Sequence, residues 1–259
     1  MDSLPVDGQR IHTAIRRPTS AGAESLETYA RRVTNPPEGL VRAVRVGPAV
    51  TQTWNGRTFT TGAVKELVSS PIHVSRLGLE GDEQGNLAVH GGPDKAVLLY
   101  CEEHYAMWRA EGFDVPDGGF FENVTVSGIS EADVQLGDTW RLGTATVQVT
   151  QPRRPCRTLA DRWGRTRLPQ EVQASGRSGW YVRVLVEGSV AAGDRFTLID
   201  RPDCAVTAAE ANRVMNLDRS DEAGIRTLLA APELPVSWRD KLTRRLDGVL
   251  EDDSARLGE

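Results

Sequence analysis

The chain has 259 residues, a formal net charge of −5, 39% hydrophobic residues and three cysteines. That length suits one large domain, or one domain with an appendage, and buries enough surface to need no disulfide staples. The mild acidity argues against a nucleic-acid-binding surface spread over the molecule, though not against a local basic pocket, and Cys101, Cys156 and Cys204, with no C-x-x-C pair, give neither a disulfide framework nor a zinc site.

No apolar run reaches the length of a membrane span, and residues 1–20 lack a signal-peptide apolar core. The expected setting is a reducing cytoplasm, with neither nucleic acid nor membrane as a partner. Residues 1–38 read as an N-terminal extension, disordered in part, with Leu26, Tyr29 and Val33 at helical spacing. From Leu40 the pattern becomes β: residues 40–46 alternate, and Asn55-Gly56 between Thr-rich runs predicts a type I′ hairpin turn. Residues 97–100 form an apolar strand and 102–111 a helix with Tyr105 and Trp108 on one face. Further strands are expected at 123–126, 139–142, 144–150, 180–186 and 195–199, two of them after Gly137-Asp138 and Gly193-Asp194 turns.

Many short strands with few helices point to a mainly β fold, a closed or nearly closed barrel, over residues 39–202. Beyond Pro202 the pattern turns helical. Thr207-Ala208-Ala209-Glu210 is a capping box; Ile225, Leu228 and Leu229 mark a second helix, and Trp238, Leu242, Leu246 and Val249 a third. Residues 203–259 therefore read as a three-helix appendage with an acidic, frayed tail.

Gln151-Pro152-Arg153-Arg154-Pro155-Cys156-Arg157 is the densest unusual stretch. It reads as a loop leaving a sheet end, stiffened by two prolines. Three arginines around one cysteine favour the thiolate, which is both a nucleophile and a soft metal ligand. Most lone cysteines are small buried hydrophobes, and Cys101 and Cys204 are assigned that role. His90-Gly91-Gly92-Pro93-Asp94-Lys95-Ala96 offers glycines for close backbone approach to an anion, a point charge at Lys95 and a donor or acceptor at His90; a tight turn before the strand explains it equally well. Asn123, within Phe121-Glu122-Asn123-Val124-Thr125, either binds a polar ligand or completes a turn. Arg177, in Ser175-Gly176-Arg177-Ser178-Gly179-Trp180, either presents a guanidinium to phosphate or sits in a surface loop, with Trp180 as a core plug. No Walker A, dinucleotide, H-E-x-x-H or G-x-S-x-G pattern occurs.

Taken in order, these motifs, with Gly78-Leu79-Glu80-Gly81-Asp82-Glu83-Gln84, resemble the MOSC domain of molybdenum-cofactor sulfurases, most closely its stand-alone YiiM-type branch. The resemblance spans roughly residues 40–200, and the helical segment looks like that branch's three-helix extension. It implies a β-barrel that binds a pterin-based molybdenum cofactor (molybdopterin), with Cys156 as molybdenum ligand or sulfur carrier; pyridoxal phosphate is not expected. It further implies reduction of N-hydroxylated compounds such as hydroxylaminopurine bases. The cofactor would be held by Lys95, Arg153, Arg154 and Arg177, with His90 and Asn123 giving hydrogen bonds. With no flavin, haem or iron–sulfur motif present, electrons would come from an external donor protein. Sulfur transfer through a Cys156 persulfide, or plain cofactor carriage, stay open beside this reading, and a homodimer stays open as the oligomeric state. The family usually has glycine where this chain has Phe121, which bears on pocket width and on the aim of Asn123.

Overall fold

Alternation in β1 (Glu38–Val46) turns Gly39 and Val41 inward, and a bulge between Val41 and Ala43 resets the phase so that Val44 also faces in. The computed structural model describes residues 37–87, 89–203 and 206–259. The expected N-terminal extension up to residue 36, with its candidate helix, and Cys204 lie outside them.

β2 (Val50–Trp54) and β3 (Arg57–Thr61) form a hairpin that stands apart from the main sheet. Asn55 and Gly56 both have positive φ, 48° and 75°, as a type I′ turn requires. β4 (Glu66–Leu67) adds to the edge of β1. β5 (Ile72–Ser75) and β6 (Gly78–Leu79) begin a small side sheet. A short 3-10 turn, Pro93–Lys95, leads into β7 (Val97–Cys101), every residue of which is buried. Helix α1 (Glu103–Ala110) then crosses over to β8 (Val124–Ser127), which runs parallel to β7; parallel neighbours need such a crossover. β9 (Thr139–Leu142) and β10 (Ala145–Pro152) follow as a hairpin. Helices α2 (Arg157–Trp163) and α3 (Leu168–Ser175) come next, then β11 (Trp180–Val186), β12 (Gly188–Val190) and β13 (Arg195–Asp200).

Hydrogen bonding joins β13, β9, β10, β11, β7, β8 and β1 in that order, and β1 pairs back to β13. The result is the closed, mainly β barrel that the strand pattern predicts. Bulges in β1, in the β10–β11 pairing and in β13 supply the local bends that closure demands. Inside, Trp140 stacks on Phe196 with ring centroids 4.3 Å apart, a pairing worth about 0.5–1.5 kcal/mol beyond its buried area. Asp138 and Asp194 each accept a backbone N–H at their glycine turns, from Gln135 and Ala191 at 2.8 Å. A second apolar cluster, Tyr100, Tyr105, Trp108, Phe120, Leu159, Leu168 and Val172, fastens α1, α2 and α3 to the barrel wall.

The C-terminal helices are α4 (Ala208–Asn212), which runs on into a π-helical turn (Arg213–Leu217), then α5 (Glu222–Leu229), α6 (Val236–Leu246) and α7 (Ser254–Leu257). Thr207 caps α4 by accepting from the Glu210 N–H at 3.1 Å. Val206, Ala208, Val214, Ile225, Leu228, Trp238 and Leu242 join the same continuous core as the barrel residues. The acidic tail makes a set of ion pairs. Asp253 accepts from Arg154 and Arg256, and Glu251 pairs with Arg245 and Arg219. Asp252 accepts from Ser254 and Glu259 from Gln170, so what reads as self-repelling charge is a set of ties.

Candidate functional site

Pro152 ends β10, and Arg153, Arg154 and Pro155 carry the chain to Cys156, whose extended backbone opens α2. Cys156 is partly exposed, unlike Cys101, which is buried and donates to Glu103. Burial raises the Cys101 thiol well above its ordinary range, so it stays protonated. Burial pushes Cys156 the same way, but a hydrogen bond with His90, the charges of His90 and Arg153, and a hydrogen bond with Thr158 overrule it and lower the thiol to about 6. Cys156 is therefore a thiolate at neutral pH, and so competent as a nucleophile or soft ligand.

Four of the expected residues come together. His90 lies at the sulfur. The Lys95 amine donates to the Val89 carbonyl at 2.8 Å and is lowered by burial and by the Arg154 charge, while Cys156 partly opposes that shift. Arg153 is buried, 5% exposed, and its Nη1 has no hydrogen-bond partner. A buried guanidinium with an unsatisfied nitrogen is costly unless an anion completes it. Gly91 and Gly92, φ 78° and 85°, bring the loop past His90, and a side chain at Gly92 would meet only open space.

The remaining three expected residues have other partners in the structure. Asn123 is a brace: its Oδ1 accepts from the Leu98 N–H at 3.1 Å and its Nδ2 donates to the Arg45 carbonyl at 3.4 Å, tying β7, β8 and β1 together. Arg154 turns toward the helical segment, donating to Asn216 at 2.9 Å and to both carboxylate oxygens of Asp253. Arg177 lies 3.8 Å over the Trp108 ring and pairs with Glu111 at 2.7 Å, at the end of α1. Sequence spacing shows that these side chains are polar and near the motifs; it does not show which partner lies closer.

Other residues complete the surroundings, Thr158 and Tyr181 among them without any signal in the sequence. Thr158 contributes to the sulfur, and Tyr181 on β11 is raised by burial, with Arg153 and Cys156 acting on it in opposite senses. Phe121 holds a positive φ of 65°, a conformation that costs a bulky residue about 1–3 kcal/mol. Its ring stacks on Trp54 from the β2–β3 hairpin, and Arg153 lies over it. The Gly81-Asp82-Glu83 motif fastens the base of that hairpin. Asp82 pairs with Lys65 and accepts from the Gly47 N–H, Glu83 accepts from the Ala49 N–H, and the Glu83 N–H donates to the Gly47 carbonyl. Fully buried Glu122 accepts from Tyr105 at 2.6 Å and Thr125 at 2.9 Å, with Arg45 3.6 Å away. The sequence marked Phe121 and the ordered Gly81-Asp82-Glu83 motif, but nothing in the motif's spacing reveals that it anchors a hairpin.

Comparison with known proteins fits this arrangement. Residues 86–197 match the MOSC domain family, and residues 206–248 match the YiiM-like, 3-alpha helix domain. Protein YiiM of Escherichia coli is 39% identical over 200 residues, covering 74% of this chain and 88% of that protein. The crystal structure of YiiM from Geobacillus stearothermophilus is 33% identical, covers 80% of this chain and 99% of that one, and superposes with a TM-score of 0.68. A protein named Reductase from Gibberella moniliformis is 31% identical over 207 residues, which are 78% of this chain but 36% of that longer protein.

Proposed function

Because this chain belongs to the MOSC domain family and carries the YiiM-like helical domain, we propose that it is a molybdenum-cofactor-dependent oxidoreductase that reduces N-hydroxylated compounds at Cys156. The observation that carries the proposal is the pairing of a part-exposed cysteine, lowered to about 6, with a buried arginine whose Nη1 lacks a partner. A soft anionic sulfur and an uncompensated cation are what an anionic, metal-bearing cofactor requires. The relative named Reductase supports the redox assignment.

Arg153 and Lys95 would hold the cofactor's anionic group, and the Cys156 thiolate would ligate the metal. Among the described residues no three His, Cys, Asp or Glu side chains are gathered as a metal-binding set, so the metal would bring its other ligands with it. The bound cofactor supplies two-electron reduction: R–NH–OH, two electrons and two protons yield R–NH2 and water, with electrons from an external donor protein. His90 keeps the sulfur anionic and is a group there able to hold or pass a proton. Gly91 and Gly92 leave the backbone free to approach the ligand.

The part-exposed, low-pKa thiol also favours a second reading, in which Cys156 carries a persulfide and transfers sulfur. One experiment separates the two. The protein is produced in a cofactor-competent host, and molybdenum, pterin and cyanide-labile sulfur are measured for the protein and for Cys156→Ala. Stoichiometric metal that is lost in the variant, with donor-dependent reduction of an N-hydroxylated compound, is the expected result. No metal in either, with labile sulfur on the unsubstituted protein, overturns it in favour of sulfur transfer.

A further inference from the structure

Residues 157–167, which follow directly on Cys156, hold four arginines and one acidic residue, in a chain whose formal net charge is −5. Three of these arginines gather with a fourth from the β2–β3 hairpin. Asp161 accepts from Arg57 on one carboxylate oxygen and lies 3.5 Å from Arg157 on the other. Its side chain is 2% exposed, whereas those of Arg57 and Arg157 are 46% and 44% exposed. The carboxylate is thus sunk beneath two guanidinium groups, and the cations face solvent. Arg162, also exposed, lies 5.2 Å over the Trp54 ring and 4.7 Å over the Trp163 ring, and has no acidic partner among the described residues. Arg165 lies 5.1 Å over Phe113, whose ring meets Trp163 edge-on, and pairs with Glu171.

Trp54 sits opposite Arg57 in the hairpin register, so these contacts form one band of guanidinium and aromatic groups that starts at the residue next to Cys156. The band carries four arginines against two carboxylates, one of them covered, and is positive. Of the exposed acids just after α1, Glu111 and Asp117 are held by Arg177 and Arg109, which leaves Asp114 alone there among the described residues. A positive face on a chain that is negative overall attracts and orients a surface of opposite sign. Arginine and tryptophan are also the residue types that most often carry binding energy at protein interfaces. The reduction proposed at Cys156 draws its electrons from outside the chain, and this face borders Cys156.

We infer that the face formed by α2 and the β2–β3 hairpin, with Arg57, Arg157 and Arg162 at its centre, is the docking surface for an acidic electron-carrier protein. The carrier arrives reduced, presents the carboxylates around its redox centre to these arginines and leaves oxidised. One carrier, or two in succession, delivers two electrons; two protons come from water, and R–NH–OH becomes R–NH2 and water. Contacts of this kind bury little area and use charge for fast association, which suits a band of half-exposed arginines with no deep apolar centre. The carrier's role rests on the reductase reading; the docking itself is tested without turnover.

The probes are a flavodoxin, which is small and acidic, a basic cytochrome c and a short DNA duplex, each titrated against the full chain at low and at physiological ionic strength. Flavodoxin should bind, more weakly as salt rises, and cytochrome c should not. Arg162→Glu, at a residue held by rings and not by an acid, should weaken flavodoxin binding by about tenfold, chiefly through slower association. Arg157→Gln should weaken it in the same direction, and Arg195→Glu, on β13, should leave it unchanged. In the cofactor-loaded protein, Arg162→Glu and Arg157→Gln should lose turnover of N-phenylhydroxylamine with reduced flavodoxin but keep it with reduced methyl viologen, a small donor that needs no docking face; a folding defect would impair both. No flavodoxin binding, or binding equal in the three variants, overturns the proposal. A DNA duplex bound more tightly than flavodoxin, and lost in the same two variants, assigns the face to nucleic acid and overturns it as well. Turnover from flavodoxin that neither variant alters keeps the reductase reading and removes the docking face. Flavodoxin binding that both variants weaken, with no reduction from either donor, upholds the face for an acidic protein and removes the reductase reading.

Discussion

Burial alone would keep the proton on Cys156, as it does on Cys101; the difference between the two thiols lies in what each faces. Cys101 donates to the Glu103 carboxylate, while Cys156 faces His90, Arg153 and Thr158. The rate of Cys156 alkylation by iodoacetamide should therefore rise with pH through a midpoint of about 6. Loss of a proton creates the charge these neighbours favour, so removing a neighbour raises the midpoint. His90→Ala and Arg153→Met should each move it toward the ordinary thiol value of about 8.5. A midpoint unchanged in both would show that the cationic surroundings do not act on the sulfur. The arginines differ in their partners: Arg153 and Arg177 each keep a buried Nη1 without a hydrogen-bond partner, but Arg154 and Arg177 each have a carboxylate at hand. Cofactor retention should fall, more steeply as salt rises, in Arg153→Ala.

Among the elements, α2 and the tail are coupled through the Arg-Arg-Pro-Cys segment. Arg154 reaches Asp253, Arg256 donates to the Pro155 carbonyl at 2.6 Å, and Gly258 lies against the Arg157 side chain. Burial opposes ionisation of Asp253 and Glu251, but hydrogen bonds from Arg256 and Arg245, with the charges of Arg154 and Arg219, hold both carboxyls at about 2. A carboxyl lowered in the folded state stabilises above its unfolded value of about 4, and that contribution is lost as pH falls through about 2. Docking of the tail should accordingly weaken below pH values of about 4, seen as faster hydrogen exchange in residues 251–259. Arg154→Ala should give the same local loosening at neutral pH, by about tenfold, because it removes one of the three arginines around Asp253. Protection unchanged at pH 3 and in the variant would mean that other contacts hold the tail.

For the molecule as a whole, barrel and C-terminal helices share one apolar core running from Val41 to Leu242. The helices, which read as an appendage, thus share buried residues with the barrel. A chain cut after Arg201 would expose the barrel surfaces that Ala208, Val214, Ile225 and Trp238 cover. It should lose its cooperative thermal transition and aggregate, measured by calorimetry and light scattering, while residues 37–259 should melt in one transition. A soluble truncated chain with a sharp transition would show that the barrel closes its core alone.

What the sequence determined by itself was whatever short-range physics writes into a few neighbouring residues. Alternation and short apolar runs marked the barrel strands to within a residue or two, Asn55-Gly56 marked the hairpin turn, Thr207 and Glu210 the start of α4, and the arginine-rich run part of the charge around Cys156, where Arg153 acts beside His90. It did not mark α2 and α3, where polar residues hide a buried face supplied by Leu159, Leu168 and Val172. Tertiary structure alone decided which of the arginines gain a carboxylate partner. Arg153, Arg154 and Arg177 look alike in sequence, but acidic groups far along the chain, Asp253 and Glu111, claim two of them. It likewise decided that Phe121 meets Trp54, since their contact depends on where a hairpin outside the barrel is fastened. Charges and rings are neutralised or stacked by what is near in space, and nearness across a hundred residues is a property of the closed barrel.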